Sequence, residues 1–117
     1  MMTSQSPNVK VVQLNMNGAE DAINYLEDSG NCFDFALVQE LPNKAYQKPS
    51  SHLKLFLPKK SNSPKSAFLV AIITKKQCQF EVEQLDIGET NFVMVKFKDA
   101  EDKEFYLLSG YLWHPAT

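Results

Sequence analysis

The stretch from Val9 to Glu40, VKVVQLNMNGAEDAINYLEDSGNCFDFALVQE, sets the narrowest limits on what this chain can fold into. Residues 9–14 are rich in β-branched and apolar side chains and read as a first buried strand, and residues 34–39 (DFALVQ) read as a second. Between them, Ala19, Ala22, Ile23 and Leu26 recur at helical spacing, bracketed by Gly18 and Gly30. Asn17 followed three residues later by Glu20 fits a capping box, Asp21 adds favourable charge in the first turn, and Gly30 fits the position just past a helix end. Strand, helix and strand in this order imply a right-handed βαβ unit. Ligands of such units gather at the carboxyl ends of the strands. Asn15 and Asn17 stand at one of those ends and Gln39-Glu40 at the other.

Beyond Pro42 the pattern changes from helical to extended. Leu41 to Ser51 is a loop rich in Pro, Lys, Gln and Ser, and HLKLFL at 52–57 alternates as an exposed strand closed by Pro58. KKSNSPKS forms a second basic loop. Residues 67–74 are a continuous apolar run of strand length, expected at the centre of a sheet. QFEVEQL and NFVMVKFK alternate with period two, and the latter is joined through AEDKE to FYLLSGYLW as a hairpin. The expectation is one α+β layered domain, βαβ followed by mostly antiparallel strands. It covers residues 9–117 behind a flexible tail at 1–8.

Charge is distributed unevenly. All 14 acidic residues precede Leu41 or follow Phe80, whereas Lys44, Lys48, Lys54, Lys59, Lys60, Lys65, Lys75 and Lys76 lie between with no acid among them. Such a block suits a polyanion, or serves as a lysine-solvated loop. The 12 basic residues are all lysine, and without arginine any nucleic-acid contact is to phosphate rather than to base edges. Cys32 and Cys78 lack metal-ligand spacing and read as buried reduced thiols. They point to an intracellular compartment, nuclear or cytoplasmic. No apolar run has the length of a membrane span, and MMTSQSPN has no basic-then-apolar pattern of a secretion signal.

QLNMNG at 13–18 followed by ALVQE at 36–40 resembles the opening signatures of the endonuclease/exonuclease/phosphatase superfamily, the DNase I-like group. Among its members the chain is most similar to endonuclease domains of non-LTR retrotransposons. SAFLVAI at 66–72 resembles the family's central strand, and FYLLSGYLWHP at 105–115 the strand leading to its SxYxxP element. The resemblance implies a two-sheet α/β sandwich that hydrolyses phosphate esters with bound Mg²⁺, or Mn²⁺ in its place. It implies Glu40 as the metal-binding carboxylate, Asn15 as the turn asparagine beside metal and phosphate, and Tyr111 as the aromatic that reaches the phosphate. Asn17 falls where many relatives carry aspartate, a weak third metal ligand. DNA is the implied partner, with Lys44, Lys48, Lys59, Lys60 and Lys65 as phosphate contacts.

Each of these residues has a plainer alternative: a solvated strand-end carboxylate for Glu40, a turn for Asn15, a helix cap for Asn17, a packed ring for Tyr111. His52 reads as a surface residue, and His114 has no motif that would make it a base. The family's GDxN and SDH elements, which supply the water-activating aspartate and the phosphate-facing histidine, do not occur in these 117 residues. The expectation is therefore the N-terminal half of such a domain, inactive by itself and either self-associating or completed by the missing half. Two alternatives stand beside it: a non-catalytic nucleic-acid-binding module built on the lysine block, and a phosphatase of the same superfamily.

Overall fold

The computed structural model describes residues 9–19, 21–28, 33–41, 52–58, 70–76, 80–88 and 91–110. The chain is mixed α/β, mostly strand, with two sheets. Expectations for Cys32, Cys78, Glu20, Gly30 and Pro42 lie outside the described residues.

The first sheet combines β1 (Val11–Asn15), β2 (Phe35–Gln39), β3 (Leu53–Phe56) and β4 (Val70–Lys75) in the order β1-β2-β4-β3. β1 and β2 are parallel, with Val11 opposite Phe35 and Asn15 opposite Gln39. The connection between them carries the helix α1 (Asp21–Glu27), as a parallel crossover requires. β4 runs antiparallel to both β2 and β3. It is the strand that the continuous apolar run anticipated. Val70, Ala71, Ile72 and Ile73 are all fully buried, because both faces of a central strand are covered.

β5 (Glu81–Leu85), β6 (Phe92–Lys98) and β7 (Glu104–Gly110) form an antiparallel second sheet in chain order. The β6–β7 hairpin closes through Asp99, whose Oδ1 accepts the backbone N–H of Glu101 and of Lys103, both at 2.9 Å. An aspartate that bonds its own backbone in this way makes a turn without glycine.

Two apolar layers hold these parts together. Phe35, Phe56, Val70, Ile72, Val93, Val95 and Phe97 fill the space between the sheets. There the ring of Phe97 lies 4.6 Å from that of Phe35 and 5.3 Å from that of Phe105. On the other face of the first sheet, Leu26 of α1 packs with Ala36, Val38, Ala71 and Ile73, with Met16 and Leu41 closing one end. Leu26 and Phe35 are both fully buried, on opposite sides of the sheet. Helix, sheet and sheet thus stack in sequence.

Four sequence expectations need correction. Asn17 is not a helix cap: α1 begins at Asp21, and Asn17 stands in the preceding turn with φ of +51°. Ala19 belongs to that turn as well and is exposed, so the buried helical stripe reduces to Ala22, Ile23 and Leu26. β1 is half exposed rather than buried, because it is an edge strand and only Val12 and Leu14 face the helix side. Conversely, β3 is an edge strand but not an exposed one, since Leu53 and Phe56 enter the two core layers from opposite faces. His52 beside it is exposed as expected.

Candidate functional site at the carboxyl ends of the parallel strands

Where β1 and β2 end, the backbone does not simply open into loops. The parallel ladder is extended by Met16 N–H donating to the Gln39 carbonyl at 2.9 Å, and Gly18 N–H then donates to the Glu40 carbonyl at 2.8 Å. The turn between is closed by Ala19 N–H on the Met16 carbonyl at 2.8 Å. Its first corner is an Asx turn, in which Asn15 Oδ1 accepts the N–H of Asn17 at 2.9 Å. The two strand ends are therefore tied to each other by backbone bonds through an Asn-Met-Asn-Gly turn.

The tie has a conformational cost. Among the described residues only Asn17, Glu40 and Asp102 have positive φ without being glycine, and the first two sit side by side here, at +51° and +54°. Asparagine tolerates the left-handed region, and Gly18, at +70°, is indifferent to it. Glutamate is not suited to it. A non-glycine residue held there carries roughly 1–3 kcal/mol of strain, and such strain concentrates at working sites. The Gly18 bond to the Glu40 carbonyl is one of the forces that hold it.

The groups presented at this edge are few and polar. Glu40 is half-buried, and its carboxylate has no side-chain hydrogen bond or ion pair among the described residues. Asn15 is exposed, and because its Oδ1 is engaged by Asn17, its amide NH₂ is the group left to meet a ligand. Asn17 is likewise exposed beside it. Behind them Gln39 is buried at 9% exposure and its Nε2 donates to Ser109 Oγ of β7 over a long 3.5 Å. This contact links the second sheet to the strand end that carries Glu40. The sequence marks Gln39 by its place at the strand end but gives no signal for Ser109; only register across two sheets brings the two together.

The topology brings further chain ends to the same edge. Val70 pairs with Gln39, and Phe56 with Ile72, so the chain leaves β3 and enters β4 on this side. It also leaves β7 here, just past Ser109 and Gly110, where a Cβ on Gly110 would stand 2.5 Å from the Phe92 ring. Lys54, Lys75 and Lys76 lie toward the opposite end, since Leu53 pairs with Lys75 and Lys54 with Thr74. Lys54 and Lys75 stand over the rings of Phe56 and Phe33 at 5.1 and 5.0 Å. These three lysines of the block therefore do not converge with Glu40. Lys44, Lys48, Lys59, Lys60, Lys65 and Tyr111 lie outside the described residues, as does His114.

A metal centre made of protein side chains alone is not assembled among the described residues, where no three His, Cys, Asp or Glu side chains cluster. Glu40 with asparagine neighbours suits instead a hard, largely hydrated cation that takes one carboxylate and shares its remaining positions between water and phosphate oxygen. Among the described residues no helix is long and apolar enough to cross a membrane. No family model, curated protein or solved structure matches the chain.

Proposed function

We propose that this chain carries the metal-binding part of a Mg²⁺-dependent phosphodiesterase of the endonuclease/exonuclease/phosphatase type, with DNA as substrate as in the retrotransposon endonucleases it resembles. One observation carries the proposal: Glu40 ends a central strand in a left-handed conformation and is tied by its backbone to the Asn15–Gly18 turn. A solvated carboxylate with no role has no reason to be held in a conformation that glycine would occupy without strain. In this reading Glu40 binds Mg²⁺, Asn15 donates its amide NH₂ to a phosphate oxygen, and Asn17 lines the turn. When bound, the cation would stabilise negative charge on the phosphoryl oxygens. Tyr111 follows Gly110 directly and fits the phosphate-contacting aromatic of the resemblance. The chain provides neither a GDxN nor an SDH element, so turnover requires groups from outside these residues.

The proposal is tested by binding rather than turnover. A short labelled DNA duplex should bind more tightly with Mg²⁺ than with a chelator. Glu40→Gln should remove that increment while leaving the metal-independent affinity unchanged. An increment that survives Glu40→Gln places the cation elsewhere and removes the proposal.

The nucleic-acid-binding module is favoured by a separate observation: residues 59–69, with Lys59, Lys60 and Lys65, are flanked by strand ends on the Glu40 side. Metal-independent binding that weakens steeply with salt and shows no sequence preference supports this second reading. Absence of binding at low salt removes it.

A further inference from the structure

The two sheets are not stacked edge to edge. β7 crosses β2 and β4, while β1 lies one strand further out in the first sheet. In register, Val11, Gln13 and Asn15 of β1 share a face with Phe35, Leu37 and Gln39, the face turned toward the second sheet. Yet Val11 is 40% exposed, and Gln13 and Asn15 are exposed too. A ledge one strand wide thus projects beside β7. Among the described residues β7 is the outer strand of its sheet, paired only with β6. Its outward row carries Tyr106 and Leu108, at 57% and 48% exposure.

Edge strands ordinarily carry lysine, proline or a bulge that discourages another strand. The other edge of this sheet, β5, is guarded by Glu81 and Glu83. β7 reads EFYLLSG over seven residues, with one charge at its first position and no proline. Its partner preference is visible on the side already occupied. β6, FVMVKFK, lies antiparallel with Lys98 opposite Glu104 and Met94 opposite Leu108. The Lys96 ammonium stands 3.2 Å from the Glu104 carboxylate. The turn that begins β7 adds Asp99, Glu101 and Asp102.

We propose that the free edge of β7 binds an extended segment of a partner polypeptide as an added antiparallel strand. The segment is apolar at alternate positions and basic at its C-terminal end. Its inward side chains cover Val11 on the ledge, its outward ones cover Leu108 and Tyr106, and its basic end meets Glu104 and the acidic turn. Main-chain hydrogen bonds supply affinity and the alternating side chains supply selection, as in other strand additions. A second copy paired through the same edge is the competing occupant, which the sedimentation measurement below separates. The proposal stands independently of the metal reading.

The test uses the whole chain and a labelled peptide of sequence FVMVKFK. Saturable binding is expected. It should weaken about tenfold or more with Leu108→Lys, which puts a cation in place of the apolar side chain that meets the peptide's apolar residues. It should weaken comparably when the peptide amides facing β7 are methylated. Ile87→Lys, an exposed apolar position off this edge, should leave binding unchanged. If Leu108→Lys loses its far-UV circular dichroism, Leu108→Thr is read on the same terms. No binding, equal binding by the methylated peptide, or binding indifferent to the Leu108 variants would each overturn the proposal. So would self-association, seen by sedimentation, that the Leu108 variants abolish.

Discussion

Glu40 concentrates the questions raised by this molecule at the scale of a single residue. Its φ of +54° is unfavourable for a side chain with a Cβ, and among the described residues no side-chain hydrogen bond or ion pair of the half-buried carboxylate explains the choice. Glu40→Gly should therefore raise stability, by about 0.5–1 kcal/mol, as relief of left-handed strain outweighs the added freedom of the unfolded chain. Chemical denaturation of both proteins measures this, and a loss of stability would show that the carboxylate is structural. The identity of this residue as a candidate was readable in the sequence, because a carboxylate closing a buried run is visible in ALVQE. Its strain was not. The left-handed geometry at Glu40 is held in part by the bond that Gly18 makes to its carbonyl, and Gly18 is far away in sequence. Asn17 illustrates the converse. Its spacing to Glu20 suited a cap, but the chain spends Asn17 and Gly18 on the turn that ties β1 to β2, and the helix starts later.

At the scale of elements, alternation predicted β5, β6 and β7 closely, because one face of each meets the core and the other meets water. Alternation also misled. HLKLFL looks like an exposed strand until the pairing of β3 with β4 shows that Leu53 and Phe56 are buried on opposite faces. The outer face of the second sheet carries a charge row across all three strands, with the Lys96 ammonium 3.5 Å from Glu83 and 3.2 Å from Glu104. The hydrogen bond to Glu104 and its charge, followed by the charge of Glu83, raise the Lys96 pKa above its ordinary value of 10.5. A cation whose pKa is higher folded than unfolded contributes stability that is complete below the unfolded value and lost as pH rises through the folded one. Thermal melts should thus show a loss of stability above pH 10.5 that is smaller in Lys96→Met. The difference should shrink at high salt, as it does for ion pairs in contact with water. An identical pH profile in the two proteins would contradict it.

For the whole molecule, the first sheet is the common wall of two cores, one against α1 and one against the second sheet. Phe97 belongs to the inter-sheet layer and contacts the rings of Phe35, Phe80 and Phe105. Phe97→Ala should cost about 3–5 kcal/mol, and Leu26→Ala about 2–5 kcal/mol from the other side. Both should unfold the chain in one transition, because the wall is shared. Two separate transitions would show that the sheets fold independently. The βαβ opening and the central β4 were legible from apolar runs and their order. The overhang of β1 past β7 was not, because it depends on how two sheets are offset. The strained end of β1 and β2 is proposed above to take a hard divalent cation. Mn²⁺ titrated into the isotope-labelled chain reports this by selective loss of nearby amide signals. Asn15 to Gly18 and Glu40 to Leu41 should fade first, and Glu40→Gln should abolish the effect. Fading that begins instead at the acidic turn around Asp99 and Asp102, or that persists unchanged in Glu40→Gln, would contradict it.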